Sequence, residues 1–406
     1  MRVGILGGGL LGCCAALALA ERGIDVAVLD QNQSLLSRAA TANEGKIHLG
    51  YMYAADPTFA TARVMMTGAL AFAPFMHRYA GISIERIKTS FAANYVVHRD
   101  SQHSAEAVIA YLTGVHRLVI EAASGRESAY FGLDLSMPLR SWRLSEREAM
   151  FNPQRVLAAF ETPEVAIDPE ALAVELRACI AGHPRIEVRF GQRVLRAARD
   201  EHGISVVSER ADGQVIDRFD HVVNALWEGR LAVDGTMGYK PDRPWLHRLK
   251  YGIVLTLPQG LQSPPSITVV SGPFGEVVTH PDRRVYLTWY PECLQGISAD
   301  VAPPRWPKQA PEPARSRILR GTVSALSDIL PCLDPLNRAS LADADVKGGV
   351  IVAWGSTDIV DPNSELHHRY EIGITSAGHY HSIDPGKLTL APYFAEQCAD
   401  RICGTA

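Results

Sequence analysis

The first thirty residues carry a regular succession of apolar runs and polar turns. A short apolar run at residues 3–6 leads into Gly7-Gly8-Gly9-Leu10-Leu11-Gly12, then into small apolar residues up to Ala20, and then into a second apolar run at 26–29. Short apolar runs bounded by turn residues are typical of buried strands, and the longer run between them is typical of a helix. The pattern predicts a strand, a glycine turn, a helix and a second strand parallel to the first.

The rest of the chain alternates between helical and strand-like periodicity. Apolar residues at helical spacing predict helices over 57–80, 104–118, 170–181, 316–330 and 388–402, the third with Asp168 as N-cap and Pro169 at its first position. Shorter runs predict strands at 91–97, 186–190, 204–207, 218–227 and 370–378. Strand-like segments at 252–257, 266–270 and 284–290, separated by Gly and Pro turns, predict an antiparallel sheet. The proline-rich stretch 303–313 is predicted to run over the surface.

Composition narrows the functional classes. The 406 residues include 40 Lys and Arg against 44 Asp and Glu, for a net charge of −4, so no basic excess argues for nucleic acid or an anionic membrane. No apolar stretch reaches the roughly 18 residues that a membrane span needs. The seven cysteines are scattered without C-x-x-C spacing, which predicts reduced thiols and a cytoplasmic protein. We expect a small-molecule substrate as the partner, while the oligomeric state stays open.

The glycines of the first turn have a chemical explanation. Gly7 permits the tight turn, Gly9 lets backbone amides approach a diphosphate, and Gly12 lets the helix pack against the strand. Asp30 ends the second strand, eighteen residues after Gly12, where a carboxylate can accept hydrogen bonds from ribose hydroxyls. The spacing predicts a dinucleotide-binding unit, although Asp30 does not distinguish FAD from NAD.

Four separated segments together resemble the FAD-dependent D-amino acid oxidase-like superfamily. They are the glycine fingerprint with Asp30, the segment 43–51 (NEGKIHLGY), the segment 220–225 (DHVVNA) and the segment 378–389 (GHYHSIDPGKLT). The resemblance implies an α/β fold with a glutathione-reductase-type Rossmann FAD-binding domain and a substrate domain on a mainly antiparallel sheet. It assigns residues 1–80, 151–235 and 345–406 to the FAD domain and 81–150 and 236–344 to the substrate domain.

The resemblance also implies a set of cofactor contacts. The segment 43–51 is expected beside the flavin ring, and Gly386-Lys387 is expected at the ring's pyrimidine edge, where amides and a lysine stabilise the negative charge of reduced flavin. The expected FAD-binding residues are Gly7, Gly9, Leu10, Leu11, Gly12, Asp30, Gln31, Asn43, Gly45, Lys46, Ile47, Val194, Asn224, Ala225, Trp227, Gly386, Lys387, Leu388 and Thr389.

The candidate catalytic and substrate-binding residues are chosen because they lie near the flavin that the resemblance implies, and the histidines also because imidazole titrates near neutral pH. His48, in the flavin loop, could accept a proton or fix the backbone, and His379 and His381 are expected on the substrate side of the flavin; Lys387 completes the candidate catalytic set. Candidate substrate-binding residues are Tyr51, Tyr53, Tyr286, Tyr290 and Tyr380. No metal site is expected, because no histidine pair has a third ligand at recognisable spacing.

These features predict an FAD-dependent oxidoreductase. The expected reaction oxidises a C–N or C–O bond of a small molecule by hydride transfer to flavin N5, with oxygen or another acceptor taking the electrons. Three alternatives remain: a flavin monooxygenase, an NAD-dependent dehydrogenase and a non-catalytic FAD-binding protein. The monooxygenase is disfavoured because no second dinucleotide fingerprint follows the first.

Overall fold

The computed structural model describes residues 1–126, 128–201 and 203–404. In chain order the strands are β1 Arg2–Leu6, β2 Asp25–Leu29, β3 Ala93–His98, β4 Arg140–Ser141, β5 Val156–Glu161, β6 Ile186–Arg189, β7 Arg193–Asp200, β8 Gly203–Arg210, β9 Gly213–Phe219, β10 His221–Asn224, β11 Trp245–Thr256, β12 Ser266–Val270, β13 Gly275–Thr279, β14 Arg284–Trp289, β15 Leu294–Ser298, β16 Asp345–Trp354, β17 Gly373–Ala377 and β18 Tyr380–Asp384. The helices are α1 Leu10–Ala20, α2 Ala60–Ala80, α3 Ala105–Ala123, α4 Leu144–Met150, α5 Pro169–Ala181, α6 Arg230–Thr236, α7 Tyr290–Cys293, α8 Ala314–Ile329 and α9 Ala391–Cys403.

The first sheet is built on the predicted glycine-turn unit. Its six strands run in the order β17-β18-β10-β1-β2-β6, and all neighbours are parallel except β17, which is antiparallel to β18. Leu6 pairs with both Leu29 and Asn224, so three carboxyl ends meet at one edge. Ligands bind at this edge in open α/β sheets, and the dinucleotide-binding topology is therefore confirmed.

The second sheet contains the predicted antiparallel strands. Its path is β15-β11-β14-β13-β12-β3-β5-β4, and β16 also pairs with β11, from Trp245 to Val254. The pairs β11–β14, β13–β14 and β12–β13 are antiparallel, as the alternating pattern predicts. A third, smaller antiparallel sheet joins β7, β8 and β9.

Helix α1 is buried along its whole length, which explains its run of small apolar residues. It packs against β1, β2, α2 and α9 in a core that also takes in α3 and α5. A separate core between the second sheet and α8 contains Ile318, Val323 and Leu326. Among the described helices, none combines the length and apolarity needed to cross a membrane. All seven cysteines are free.

Three sequence predictions need correction. The segment 218–227 is not one strand: Asp220 separates β9 from β10. The last strand of the first sheet is β18, which lies beyond the predicted strand at 370–378, because its alternating polar residues give no apolar signal. The proposed domain division also places two segments in the wrong sheet, since β5 and β16 both pair in the second sheet. Apolar patterning identifies a strand but not its partner, and the chain crosses between sheets at both points.

Candidate active site

A cavity of about 640 Å³ lies along the carboxyl edge of the first sheet and reaches the second sheet. The glycine turn and Asp30 line one end, and Lys46, His48, Lys250 and Lys387 line the other. Gly349, Val350 and Ile351 of β16 form a wall between the two sheets. The cavity is therefore elongated, with a backbone-rich end and a charged end.

The glycines of the first turn differ in the space around them: Gly9 leaves room for a ligand, whereas Gly7 and Gly12 lie against other backbone atoms. A Cβ on Gly9 would meet no protein atom within 4 Å, so the space above it belongs to the cavity. A Cβ on Gly12 would lie 1.9 Å from the Gly7 carbonyl oxygen, and Gly7 itself has a φ of +97°. Gly9 is the N-cap of α1, and no side chain caps the helix or places an acid in its first turn. These free amides can bind a diphosphate.

Asp30 is held in place by the turn that it closes. One carboxylate oxygen accepts the Gly8 amide at 2.7 Å, and the other accepts the Asn32 amide at 2.7 Å and its side chain at 2.8 Å. The carboxylate lines the cavity, and its remaining lone pairs can accept ribose hydroxyls.

Lys387 follows the carboxyl end of β18 at the charged end of the cavity. Gly386 has a φ of +59° and donates its amide to Asp384 at 3.0 Å, which fixes the turn before α9. Burial lowers the pKa of Lys387 to about 8; the Glu44 carboxylate opposes this shift, while Arg369 and Lys250 add to it. The half-buried Lys387 ammonium therefore faces the cavity.

Buried ion pairs surround this end of the cavity. Lys46 Nζ lies 2.7 Å from Glu276, Lys250 Nζ lies 3.8 Å from Glu44, and Arg248 lies 3.0 Å from Asp358. Burial by itself would raise the pKa of the Glu44 carboxyl, but Lys250, Lys387 and His48 hold it below its usual value. Paired charges of this kind are costly to disturb, so the site is rigidly defined.

His48 and Glu164 form a further pair. His48 Nδ1 lies 3.5 Å from the Glu164 carboxylate, which also accepts the Leu49 amide at 2.6 Å and the Tyr95 hydroxyl. Both side chains are buried, and His48 lines the cavity. Burial lowers the pKa of His48 and Glu164 opposes that shift, so the imidazole is neutral at pH 7 and can accept a proton.

Arg369 is a buried cation without a carboxylate partner. Its guanidinium donates to the carbonyls of Leu366 and Gly386 at 3.3 Å, and among the described residues no carboxylate lies within 4.0 Å. Burial and the neighbouring Arg248 lower its pKa to about 10. The buried Tyr53 hydroxyl has no hydrogen-bond partner, and the Tyr53 ring packs edge-on to His48. A guanidinium without an ion pair, its charge partly offset by the more distant Asp384, and an unpaired hydroxyl thus lie behind the cavity lining.

Most of the predicted cofactor residues line this cavity. They are Gly7, Gly9, Leu10, Leu11, Asp30, Gln31, Asn43, Lys46, Val194, Ala225, Trp227, Gly386, Lys387 and Leu388. Trp227 adopts a φ of +55° and donates its indole N–H to Val350 at 2.7 Å, which ties the two sheets together.

The other predicted cofactor residues support the lining from behind. Gly12 and Gly45 permit close backbone contacts, Ile47 lies in the core, Asn224 bonds to Tyr380, and Thr389 accepts the His48 amide at 3.0 Å. They position the cavity without lining it.

The predicted role of the 379–381 segment is contradicted by its position. His379 and His381 lie at the amino end of β18, at the opposite end of this strand from the cavity, where His381 Nε2 lies 3.1 Å from His221 Nδ1 and His379 stacks on His221. Tyr380 is buried and bonds to Asn224 and Asp234 at 2.9 Å. Because these residues form a strand rather than a loop, they cannot reach the substrate side.

The remaining tyrosines divide into two groups. Tyr51 is a core residue whose hydroxyl bonds to His116 at 2.8 Å, and Tyr290 bonds to Asp358 at 2.6 Å. Neither lines the cavity, so the structure does not place them as substrate contacts. Tyr286, which packs over Gly252, and Tyr53 do not line the cavity either, but their hydroxyls have no hydrogen-bond partner, so their role as substrate contacts stays a prediction.

Sequence reasoning assigned no role to Glu44, Glu164, Lys250 or Arg369. Lys250 lies in strand β11 with His247 and Arg248, before the apolar run that predicts a strand at 252–257, so the sequence does not single it out. Glu44, Glu164 and Arg369 lie in irregular segments, where charged residues are common and carry no signal. Only the fold brings them close together. Among the described residues, no group of His, Cys, Asp or Glu could hold a metal ion.

The residues of the cavity fit FAD. Free helix amides and open space at Gly9 suit its diphosphate, Asp30 suits its ribose, and the half-buried Lys387 suits the ring edge that gains negative charge on reduction. When bound, FAD supplies a hydride acceptor.

Comparisons with known proteins agree with this assignment. The sequence profile of the DAO family, described as FAD dependent oxidoreductase, matches residues 2–400. A search of curated proteins finds no match. Glycine oxidase from Geobacillus kaustophilus has a similar structure (TM-score 0.68, 14% identity, covering 100% of this chain and 95% of that one). Iminodiacetate oxidase from Chelativorans sp. BNC1 is also similar in structure (TM-score 0.68, 16% identity, covering 100% of this chain and 96% of that one). So is FAD-bound L-alpha-glycerophosphate oxidase from Mycoplasma pneumoniae (TM-score 0.64, 15% identity, covering 98% of this chain and 94% of that one).

At these identities the solved structures establish the fold, while the profile match spans nearly the whole chain. The chain belongs to the DAO family of FAD-dependent oxidoreductases and is an enzyme with FAD as its cofactor.

Proposed function

We propose that this enzyme oxidises the C–N bond of a small amine that carries a carboxylate, by hydride transfer to flavin N5. Arg369 is the observation that carries the proposal: a buried guanidinium without a carboxylate partner among the described residues, bonded to Gly386 beside Lys387. A buried cation is stabilised by an anionic ligand, and a guanidinium binds a carboxylate through two parallel hydrogen bonds. The names of two similar structures, glycine oxidase and iminodiacetate oxidase, support the same substrate class.

His48 has the properties of the proton acceptor in this proposal. Hydride leaves an amine readily only when the nitrogen holds a free electron pair, so the ammonium form must first lose a proton. His48 is neutral at pH 7 because burial lowers its pKa, and Glu164 stabilises the imidazolium that forms. Oxygen or another electron acceptor then takes the two electrons. The free cysteines support a reducing, cytoplasmic setting.

A panel of candidate substrates tests the reaction class. Under anaerobic conditions, primary and N-substituted amino acids should bleach the visible flavin spectrum of the purified protein. If the panel leaves the flavin oxidised while dithionite reduces it, the amine proposal is wrong.

Oxidation of a hydroxy acid is the second candidate. His48 with Glu164 favours it too, since a neutral imidazole can take a hydroxyl proton, and L-alpha-glycerophosphate oxidase shares the fold. Bleaching by 2-hydroxy acids and not by amino acids would select this reaction.

Arg369→Gln tests the anchor. The variant should bind a carboxylate substrate roughly 10- to 100-fold more weakly, and it should lose the preference for the carboxylate over the corresponding amide. That preference separates a charge contact from a general loosening of the loop. Arg243→Gln is the matched control, because Arg243 pairs with the exposed Glu371 in the same region. An unchanged preference in Arg369→Gln would remove the assigned role.

A further inference from the structure

The proline-rich stretch that follows β15 does not simply run over the surface. Ala302, Pro303, Pro304 and Arg305 line the same cavity as the glycine turn and Asp30. We name residues 302–306 the strap. It belongs to the predicted substrate domain, whereas the glycine turn belongs to the first sheet, so the cavity is closed by residues from both parts of the molecule.

Both ends of the strap are anchored to the second sheet. Before it, Trp245 donates its indole N–H to the Asp300 carbonyl at 3.3 Å. After it, the Gly348 amide donates to the Lys308 carbonyl at 2.7 Å, and the Tyr251 hydroxyl donates to the Pro307 carbonyl at 3.0 Å. Between these anchors two consecutive prolines restrict the backbone, so little conformational entropy is lost when a ligand fixes it.

The strap meets the first sheet beside the glycine turn. Arg38 donates to the Trp306 carbonyl at 3.5 Å, and Leu36, two residues earlier, donates its amide to Gly8 at 2.8 Å. Arg38 and Arg305 both line the cavity. Arg38 also lies 3.8 Å from Glu228, which offsets part of its charge, whereas Arg305 forms no hydrogen bond or ion pair with any described residue.

We propose that the strap is a cofactor-binding element, in which Arg305, together with Arg38, binds the diphosphate of FAD. This contact would also link the second sheet to the first through the cofactor. The helix amides at Gly9 bind one side of the diphosphate without a basic side chain. These amides would leave part of the charge of the dianion unneutralised, and Arg305 is an exposed cation that lines the same cavity without an ion pair among the described residues.

Flavin binding to the full chain, stripped of its cofactor, tests the proposal. Arg305→Gln should bind FAD roughly tenfold more weakly than the parent, while its affinity for riboflavin, which has no diphosphate, should not change. Arg320→Gln is the matched control, since Arg320 is exposed on α8 outside the cavity lining and should leave both affinities unchanged. Flavin fluorescence gives both dissociation constants without any measurement of turnover.

Trypsin provides a second readout on the unmutated protein. Cleavage after Arg305 should be slowed by FAD and not by riboflavin, because only the diphosphate engages this side chain. Equal affinity of Arg305→Gln and the parent for FAD would overturn the proposal. Equal weakening of FAD and riboflavin, or cleavage at Arg305 that FAD does not slow, would overturn it as well.

Discussion

The two ends of the cofactor cavity are built from different chemical groups. At one end, the glycine turn and Asp30, all from the first thirty residues, supply backbone amides and one carboxylate, and the strap adds Arg305. At the other end, side chains from four separated segments form the pairs Glu44–Lys250 and His48–Glu164 beside Lys387. A site made of backbone depends on local conformation, whereas a site made of charges depends on the packing that removes them from water.

The largest effect is expected at the backbone-built end. Gly12→Ala places a Cβ 1.9 Å from the Gly7 carbonyl oxygen, which should destabilise the fold by about 3 kcal/mol and abolish FAD binding. Gly9→Ala should fold normally, since nothing lies within 4 Å of its Cβ, yet lose FAD affinity because the methyl group enters the cavity. Thermal unfolding and flavin content separate the two outcomes. Gly235→Ala, with no neighbour within 4 Å, is the neutral control.

At the charged end of the cavity, a substitution should change the rate of flavin reduction rather than the stability of the fold. Glu164→Gln removes the group that stabilises His48 imidazolium, so flavin reduction by substrate should slow by roughly 100-fold. The acid limb of its pH profile should move to lower pH, because His48 then loses its proton at lower pH. Anaerobic stopped-flow reduction at several pH values measures both quantities. A slower rate with an unmoved limb would show that Glu164 only supports the loop.

Lys387 should affect the redox equilibrium more modestly. Lys387→Met should lower the midpoint potential of the bound flavin by about 30 mV at pH 7, equivalent to about 1.4 kcal/mol for two electrons. The pKa of Lys387 is about 8, so its charge is present below that pH and is lost above it. The difference between parent and variant should therefore shrink as the pH rises past 8. A potential difference that stays constant with pH would contradict the assigned charge.

The smallest effect is expected at the histidines that lie away from the cavity. His379→Ala and His381→Ala should reduce the flavin at rates within about twofold of the parent, because both side chains contact His221 at the far end of β18. A large loss of rate with an intact fold would restore the role that their sequence position suggested.

The dinucleotide unit could be predicted because its residues are contiguous and each has a local conformational reason. Asp30 follows Gly12 at a fixed interval that one strand, one helix and one turn determine. Gly386 and Lys387 could be predicted through their resemblance to a known turn. The prediction for His379 and His381 was wrong because they are close to Lys387 in the sequence but not in space. Strand β18 runs between them and Lys387, so they lie at the end of this strand away from the cavity.

Glu164, Lys250 and Arg369 could not be predicted, since each acquires its chemistry from burial and from neighbours far away in the chain. Lys250 is kept charged by Glu44, more than two hundred residues earlier, and Arg369 is left without a carboxylate by the way its loop packs on Gly386. The strap is exposed, as its proline-rich composition predicts, but composition describes the stiffness of a segment and does not show that it crosses a cavity.

The sequence by itself determined the glycine turn with Asp30 and the antiparallel strands around 252–290, and its resemblance to a known family indicated the FAD cofactor. These features depend on local conformation or on short contiguous motifs. Only the tertiary structure decided which charges are buried, which are paired and which, like Arg369, have no ion pair behind the cavity lining. Removal from water is what turns ordinary acids and bases into a reactive site, and it is a property of packing.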